Sequence, residues 1–97
     1  MQIQEERSGK TLPSRERVLE EVRQLVGEQV ALPASEIREE QELIADLGYD
    51  SLDIVELAME LEEHFAITVP DTLSEEARTV GQVAHGVLQL MGADQQP

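Results

Sequence analysis

The stretch LGYDSLDIVELAMELEEHF, residues 47–65, decides how this chain is read. Gly48 closes what precedes it, and Asp50 is a suitable cap for a helix over residues 51 to about 64. Asp53, three residues on, adds acidic charge to the first turn, where the helix dipole favours it. Pro70 blocks continuation. The stretch holds one aliphatic hydroxyl, Ser51, directly behind the capping aspartate.

At roughly 100° per residue, with Ser51 at zero, Ile54, Leu57, Ala58, Leu61 and Phe65 fall between about 240° and 340°. That is a core stripe. Leu52, Val55 and Met59 fall between about 40° and 100°, and Asp53, Glu56, Glu60 and Glu63 between about 120° and 200°. The apolar arc is then about 220° wide, against the roughly 100° that a surface helix needs. A central helix that buries two sides would explain this. So would a core stripe beside an exposed patch of Leu52, Val55 and Met59, rimmed by Glu56 and Glu63 as a docking surface is. Glu62, at about 20° and so inside the arc, favours the patch. Met59 has the adaptable side chain that suits several partners.

Outward from this helix, LPSRERVLEEVRQLVGEQV, residues 12–30, reads as a first helix capped by Ser14 and interrupted by Gly27 near its end. Val18, Leu19, Val22, Leu25 and Val26 form its apolar face. A long connection over about residues 31–49 follows, a length that in a compact domain often serves function. Ile37, Leu43, Ile44 and Leu47 are expected to pin it to the core. AITVP, residues 66–70, has strand-like residues and no partner strand, so it reads as extended loop. DTLSEEA, residues 71–77, makes one short helix capped by Asp71 or Thr72. Thr79, with Gln82 three residues later, caps a last helix that ends at Gly92 and is faced by Val80, Val83, Ala84, Val87, Leu88 and Met91. The expectation is an all-α fold: a small four-helix bundle of three longer helices and one short one, with a long first loop. Residues 1–13 read as a flexible tail, 14–91 as the domain and 92–97 as a second tail.

With 97 residues the chain makes one small domain. It has no cysteine, which excludes disulfide staples, cysteine-ligated metals and a cysteine nucleophile. Any thiol it handles must come from elsewhere. No apolar run approaches the roughly 20 residues of a membrane span, and the start of the chain lacks the apolar core of a secretory signal. A soluble cytoplasmic monomer is expected. The net charge is -14. Residues 39–77 hold 13 Asp and Glu and no Lys or Arg. That argues against nucleic acid and anionic membranes, and for basic protein partners.

By helix rules alone Ser51 is a first-turn residue beside its cap. Its exposure at a loop–helix junction would also place an attached phosphate near free N–H groups and the positive helix end. A catalytic role has no support. His64 lies at the far end of the same helix, His85 is on another, and there is no G-x-S-x-G elbow. The carboxylates lack the calcium-loop pattern, so neither a metal site nor a catalytic residue is expected.

DLGYDSLDIVELAMELEEHFAITVPD, residues 46–71, resembles the acyl carrier proteins of fatty acid and polyketide synthesis. Asp50, Ser51 and Leu52 match the family's Asp-Ser-Leu at the start of the second helix. Val55, Glu56, Leu57, Met59, Leu61, Glu62, Glu63, Phe65, Val69, Pro70 and Asp71 match the acidic helix and the turn after it. The resemblance implies that Ser51 receives 4'-phosphopantetheine from coenzyme A through a holo-synthase, a phosphopantetheinyl transferase. The arm brings the thiol the chain lacks, and acyl groups ride on it as thioesters.

The same resemblance implies docking on basic patches of ketosynthases, reductases, dehydratases and acyltransferases through Asp50, Leu52, Asp53, Val55, Glu56, Met59, Glu62 and Glu63. It also implies an acyl cavity lined by Ile54, Leu57, Ala58, Leu61, Phe65 and Ile67, with the last helix as a further wall. A carrier of aminoacyl or other non-fatty acyl groups, and a plain acidic adaptor without a prosthetic group, are the alternatives. The chain departs from the family pattern in its long start, in the bulky Tyr49 beside the serine, and in Gly81 and Gly86. Each of these glycines costs a helix roughly 1 kcal/mol against alanine.

Overall fold

The computed structural model describes residues 14–94. The expected tail of residues 1–13 lies outside them. Four α-helices appear: α1 (Arg15–Val30), α2 (Ser51–Phe65), α3 (Asp71–Glu76) and α4 (Val80–Asp94). A 3-10 turn, Ala34–Glu36, lies in the long first loop. The architecture is the all-helical bundle expected, and among the described residues there is no strand beyond one isolated bridge between Glu42 and Thr79.

Local chemistry sets the helix starts. Ser14 accepts the N–H of Arg17 and begins α1. Thr79 and Gln82 cap α4 reciprocally: Thr79 Oγ1 accepts the N–H of Gln82, and Gln82 Oε1 accepts the N–H of Thr79. Helix α3 follows Pro70 with no side-chain cap, so neither Asp71 nor Thr72 serves as one.

Neither the interruption expected at Gly27 nor the stop expected at Gly92 is seen. Helix α1 runs through Gly27 to Val30. A Cβ at Gly27 would lie 2.5 Å from the Leu32 carbonyl oxygen, so the bare backbone lets the loop fold back against the helix. Helix α4 likewise runs through Gly92 to Asp94. The departures at Gly81 and Gly86 are close approaches. A Cβ at Gly86 would meet Leu73 Cδ1 at 2.4 Å, and one at Gly81 would meet Glu39 at 3.2 Å. The helix gives up propensity at both points so that α3 and the first loop can lie against it.

The core sits between α1, α2 and α4, and α1 packs most extensively on α4. Val18, Val22 and Val26 of α1 meet Leu57 and Leu61 of α2 and Val80, Val83 and Val87 of α4. Burying each such side chain contributes roughly 1.5–3 kcal/mol before entropy is counted.

Ile37 and Leu43 anchor the long loop in this core, and Leu47 is half-buried against it. Ile44 does not join them: it is exposed. Backbone bonds from Leu43 N–H to the Arg78 carbonyl, from Val80 N–H to the Gln41 carbonyl and from Gly81 N–H to the Glu39 carbonyl sew the loop to the start of α4. Those bonds set the loop's path, and Ile44 falls on its outer side. No helix among the described residues is long and apolar enough to cross a membrane.

Candidate functional site

The site is built on the N-terminal half of α2. Gly48, at φ 77°, turns the loop in a conformation open to glycine. Tyr49 then drops into the core, and Asp50 stays extended at the surface as the cap. Asp50 Oδ1 accepts the N–H of Asp53 at 2.9 Å, and Asp53 Oδ2 accepts the N–H of Asp50 at 3.0 Å. This is a capping box with aspartate in both places. The Asp53 N–H holds the Asp50 carboxyl below its usual value, and the Asp53 side chain adds to the effect. Ser51 lies between the two, exposed, at the first helical position, and takes no part in the box.

The wide arc divides into two faces with opposite fates. Leu57 and Leu61 are each 3% exposed, while Leu52, Val55 and Met59 are 64%, 54% and 58% exposed. Glu56, Glu60 and Glu63 are exposed beside this outer patch. Arg15, Arg17, Arg23 and Arg38 pair with Glu39, Glu21, Glu20 and Glu40. Among the described residues, none of these ion pairs reaches the outer carboxylates of α2.

Besides Asp50, two more acidic residues expected to serve docking have structural employment. Glu62, at the seam between the faces, is half-buried, and its Oε2 accepts the N–H of Val69 at 2.9 Å. It ties down the loop between α2 and α3, which explains an acid inside the apolar arc. Asp53 directs a carboxylate oxygen at the cap rather than outward. Glu56 and Glu63 have no such tie among the described residues.

Behind the inner face lies a small apolar cavity of about 20 Å³. Ile54, Leu57, Ala58 and Leu61 line it from α2, with Leu43, Val69, Leu73, Ala77 and Val83 around them. Phe65 and Ile67, expected in this lining, are not part of it. Phe65 is half-buried with its ring edge-on to His64 at 4.8 Å, and Ile67 is buried in the core. The chain leaves α2 through Ala66 in the left-handed conformation, which redirects the backbone before Ile67. Leu73 and Ala77, in and just after α3, take their places. Reading the residues of α2 alone could not reveal them, because α3 reaches the cavity by folding back.

Neither histidine is a base for Ser51. His64 Nε2 lies 2.9 Å from Glu21 Oε1 on α1, at the opposite end of α2 from the serine, and His85 is exposed on α4. Tyr49, by contrast, is a site residue that sequence reading placed only as an obstruction. It is 4% exposed, and its hydroxyl donates to Gln29 Oε1. Burial pushes its phenol above the usual range, and the Asp53 carboxylate pushes it further.

The exposed serine fits a phosphate-linked group. Its hydroxyl is outside the capping box, and first-turn N–H groups and the positive helix end favour an anion beside it. Residues 20–87 match the family described as the phosphopantetheine attachment site. The acyl carrier protein of Clostridium acetobutylicum is 47% identical over 68 residues, covering 70% of this chain and 88% of that protein. The acyl carrier protein of Wolinella succinogenes is 44% identical over 66 residues, covering 68% and 87%. The solved structure of the acyl carrier protein from Enterococcus faecalis superposes with a TM-score of 0.68 at 26% identity, over 80% of this chain and 99% of that one. With a 4'-phosphopantetheine attachment domain over most of its length, the chain belongs to the acyl carrier protein family.

Proposed function

We propose that this protein is a discrete, non-catalytic carrier whose Ser51 takes up 4'-phosphopantetheine from coenzyme A and which serves fatty acid biosynthesis or a related polyketide or specialised lipid pathway in the cytoplasm. The observation that carries the reading is the exposed Ser51 at the first position of α2, beside an exposed apolar patch with an acidic rim. When bound, the group supplies the thiol that this cysteine-free chain lacks, on which acyl groups are held as thioesters. Every other contribution comes from the chain's own residues. Asp50 and Asp53 fix the helix start, and Ser51 offers the hydroxyl. Leu52, Val55 and Met59 offer a desolvating surface, and Glu56 and Glu63 steer basic partners to it.

In this reading the holo-synthase docks first, and ketosynthases, reductases, dehydratases and acyltransferases use the same face afterwards. Asp50, Asp53 and Glu62 contribute negative potential to that face while their hydrogen bonds hold its shape. The carrier unit spans residues 14–91.

The test is intact mass after incubation with coenzyme A, Mg²⁺ and an active phosphopantetheinyl transferase. A gain of one 4'-phosphopantetheine, abolished in Ser51→Ala, is expected. An unchanged mass with an active transferase, or a gain that survives Ser51→Ala, would refute the reading.

A further inference from the structure

The two residues that flank the Asp50–Ser51–Leu52 segment are held by one side chain on another helix. Gln29 lies in the last turn of α1, and its carboxamide works in both directions. Its Oε1 accepts the hydroxyl of Tyr49, two residues before Ser51. Its Nε2 donates to the backbone carbonyl of Asp53, two residues after Ser51, at 3.0 Å. A carboxamide is suited to this because it carries an acceptor and a donor on one rigid plane. Tyr49 is buried, so its hydroxyl needs a partner away from water, and Gln29 provides it. The bridge spans from the end of α1 to the start of α2, the place where α2 would otherwise fray.

We propose that Gln29 and Tyr49 form a bracket that positions Ser51 for phosphopantetheinyl transfer, making both of them positioning residues for the modification. The inference rests on the reading of Ser51 as the attachment residue. In that transfer the Ser51 oxygen bonds to the pantetheine-bearing phosphorus of coenzyme A. The phosphoanhydride bond breaks, adenosine 3',5'-bisphosphate leaves with the electron pair, and the serine proton passes to a base on the transferase or in solvent. Neither Gln29 nor Tyr49 touches the reacting atoms. Their effect is on the population of α2 whose first turn is formed and set against α1. A transferase that docks only on that population sees its apparent affinity reduced by the fraction that is frayed. The loss therefore belongs in KM for the carrier, and kcat is preserved.

The experiment uses the full-length apo-protein and its Tyr49→Phe, Gln29→Ala and doubly substituted variants. Two readouts are taken: transfer kinetics with coenzyme A, Mg²⁺ and a phosphopantetheinyl transferase, and amide hydrogen exchange. In each single variant the Asp53 and Ile54 amides should exchange about threefold to tenfold faster, the effect of losing one hydrogen bond, while those of Val83 and Val87 do not change. KM for the carrier should rise by the smaller factor by which the formed fraction of the first turn falls, with kcat unchanged. The double variant should be no worse than Gln29→Ala, because both changes open one bracket.

Wild-type KM and wild-type exchange at Asp53 and Ile54 in the single variants would overturn the proposal. So would a loss confined to kcat, or uniformly faster exchange in α4, which would mark Tyr49 as core filling only. A wild-type protein that gains no mass refutes the attachment reading instead, and the exchange measurement then still decides the bracket.

Discussion

The two faces of α2 are made of the same kinds of residue and do opposite things. Leu57 and Leu61 vanish into the core, while Leu52, Val55 and Met59, on the adjoining arc of the same helix, stay in water. Hydropathy does not separate them, since leucine stands on both sides. What separates them is the packing of α1 and α4 against one side only, and along the other an acidic rim that no ion pair among the described residues reaches. The outer face resembles a small interface waiting for its second half: an apolar centre and a charged margin.

The largest effect that would break this comparison is a loss of stability at the inner face. Leu57→Ala removes a buried side chain and should cost about 2–5 kcal/mol in urea unfolding. Val55→Ala, at an exposed position, should stay within about 0.5 kcal/mol of wild type. Equal costs for the two would show that the faces are not distinct. Next in size is reversal of the rim. Glu56→Lys with Glu63→Lys should weaken binding to a basic partner such as the transferase about tenfold at low salt, or about 1.4 kcal/mol, without lowering the melting temperature. Undiminished affinity in surface plasmon resonance would remove the rim from the docking account.

The smallest effect at neutral pH sharpens the boundary between the faces. The chain has one tyrosine, and in the fold its phenol is pushed above its ordinary value of 10.0. The folded group resists ionising where the unfolded one does not. Its stabilising contribution is therefore complete below about pH 10 and is lost as the pH rises further. Thermal unfolding between pH 9 and 11 should show that decline in wild type and a flatter profile in Tyr49→Phe. Parallel profiles would mean that the phenol is not sheltered.

Sequence reading reached furthest where the physics is local. Ser14, Asp50 and the Thr79–Gln82 pair cap helices through contacts within three residues, and such spacing is visible in a string of letters. The 220° arc likewise announced two faces of α2, because helical angle is fixed by position. Apart from the absent cap of α3 and the passage of α4 through Gly92, the misreadings concern partners distant in sequence or beyond the helix. Ile44 looked like an anchor until the loop's bonds to α4 turned it outward. Phe65 and Ile67 looked like cavity lining, but Leu73 and Ala77 fill that wall, Phe65 lies against His64 and Ile67 follows the turn at Ala66. Glu62 looked like a sign of the exposed patch, and its bond to the Val69 N–H gives the acid inside the arc another reason. Gly27 looked like an interruption because alanine is preferred in a helix by roughly 1 kcal/mol, and the Leu32 carbonyl that demands its bareness could not be foreseen. Tyr49 looked like an obstruction because Gln29, 20 residues away, was invisible as its partner.

The doubled aspartate cap at the start of α2 has a consequence for what the molecule can survive. Serine is itself a good helix cap, and in a box built on Ser51 any change at its oxygen would loosen the helix. Asp50 and Asp53 cap each other instead, leaving the hydroxyl beside them with no architectural duty. Esterifying that oxygen, freeing it again or deleting it should leave the scaffold as it was. A bare and a modified protein would then share one fold, and an enzyme meeting either would find the same handle.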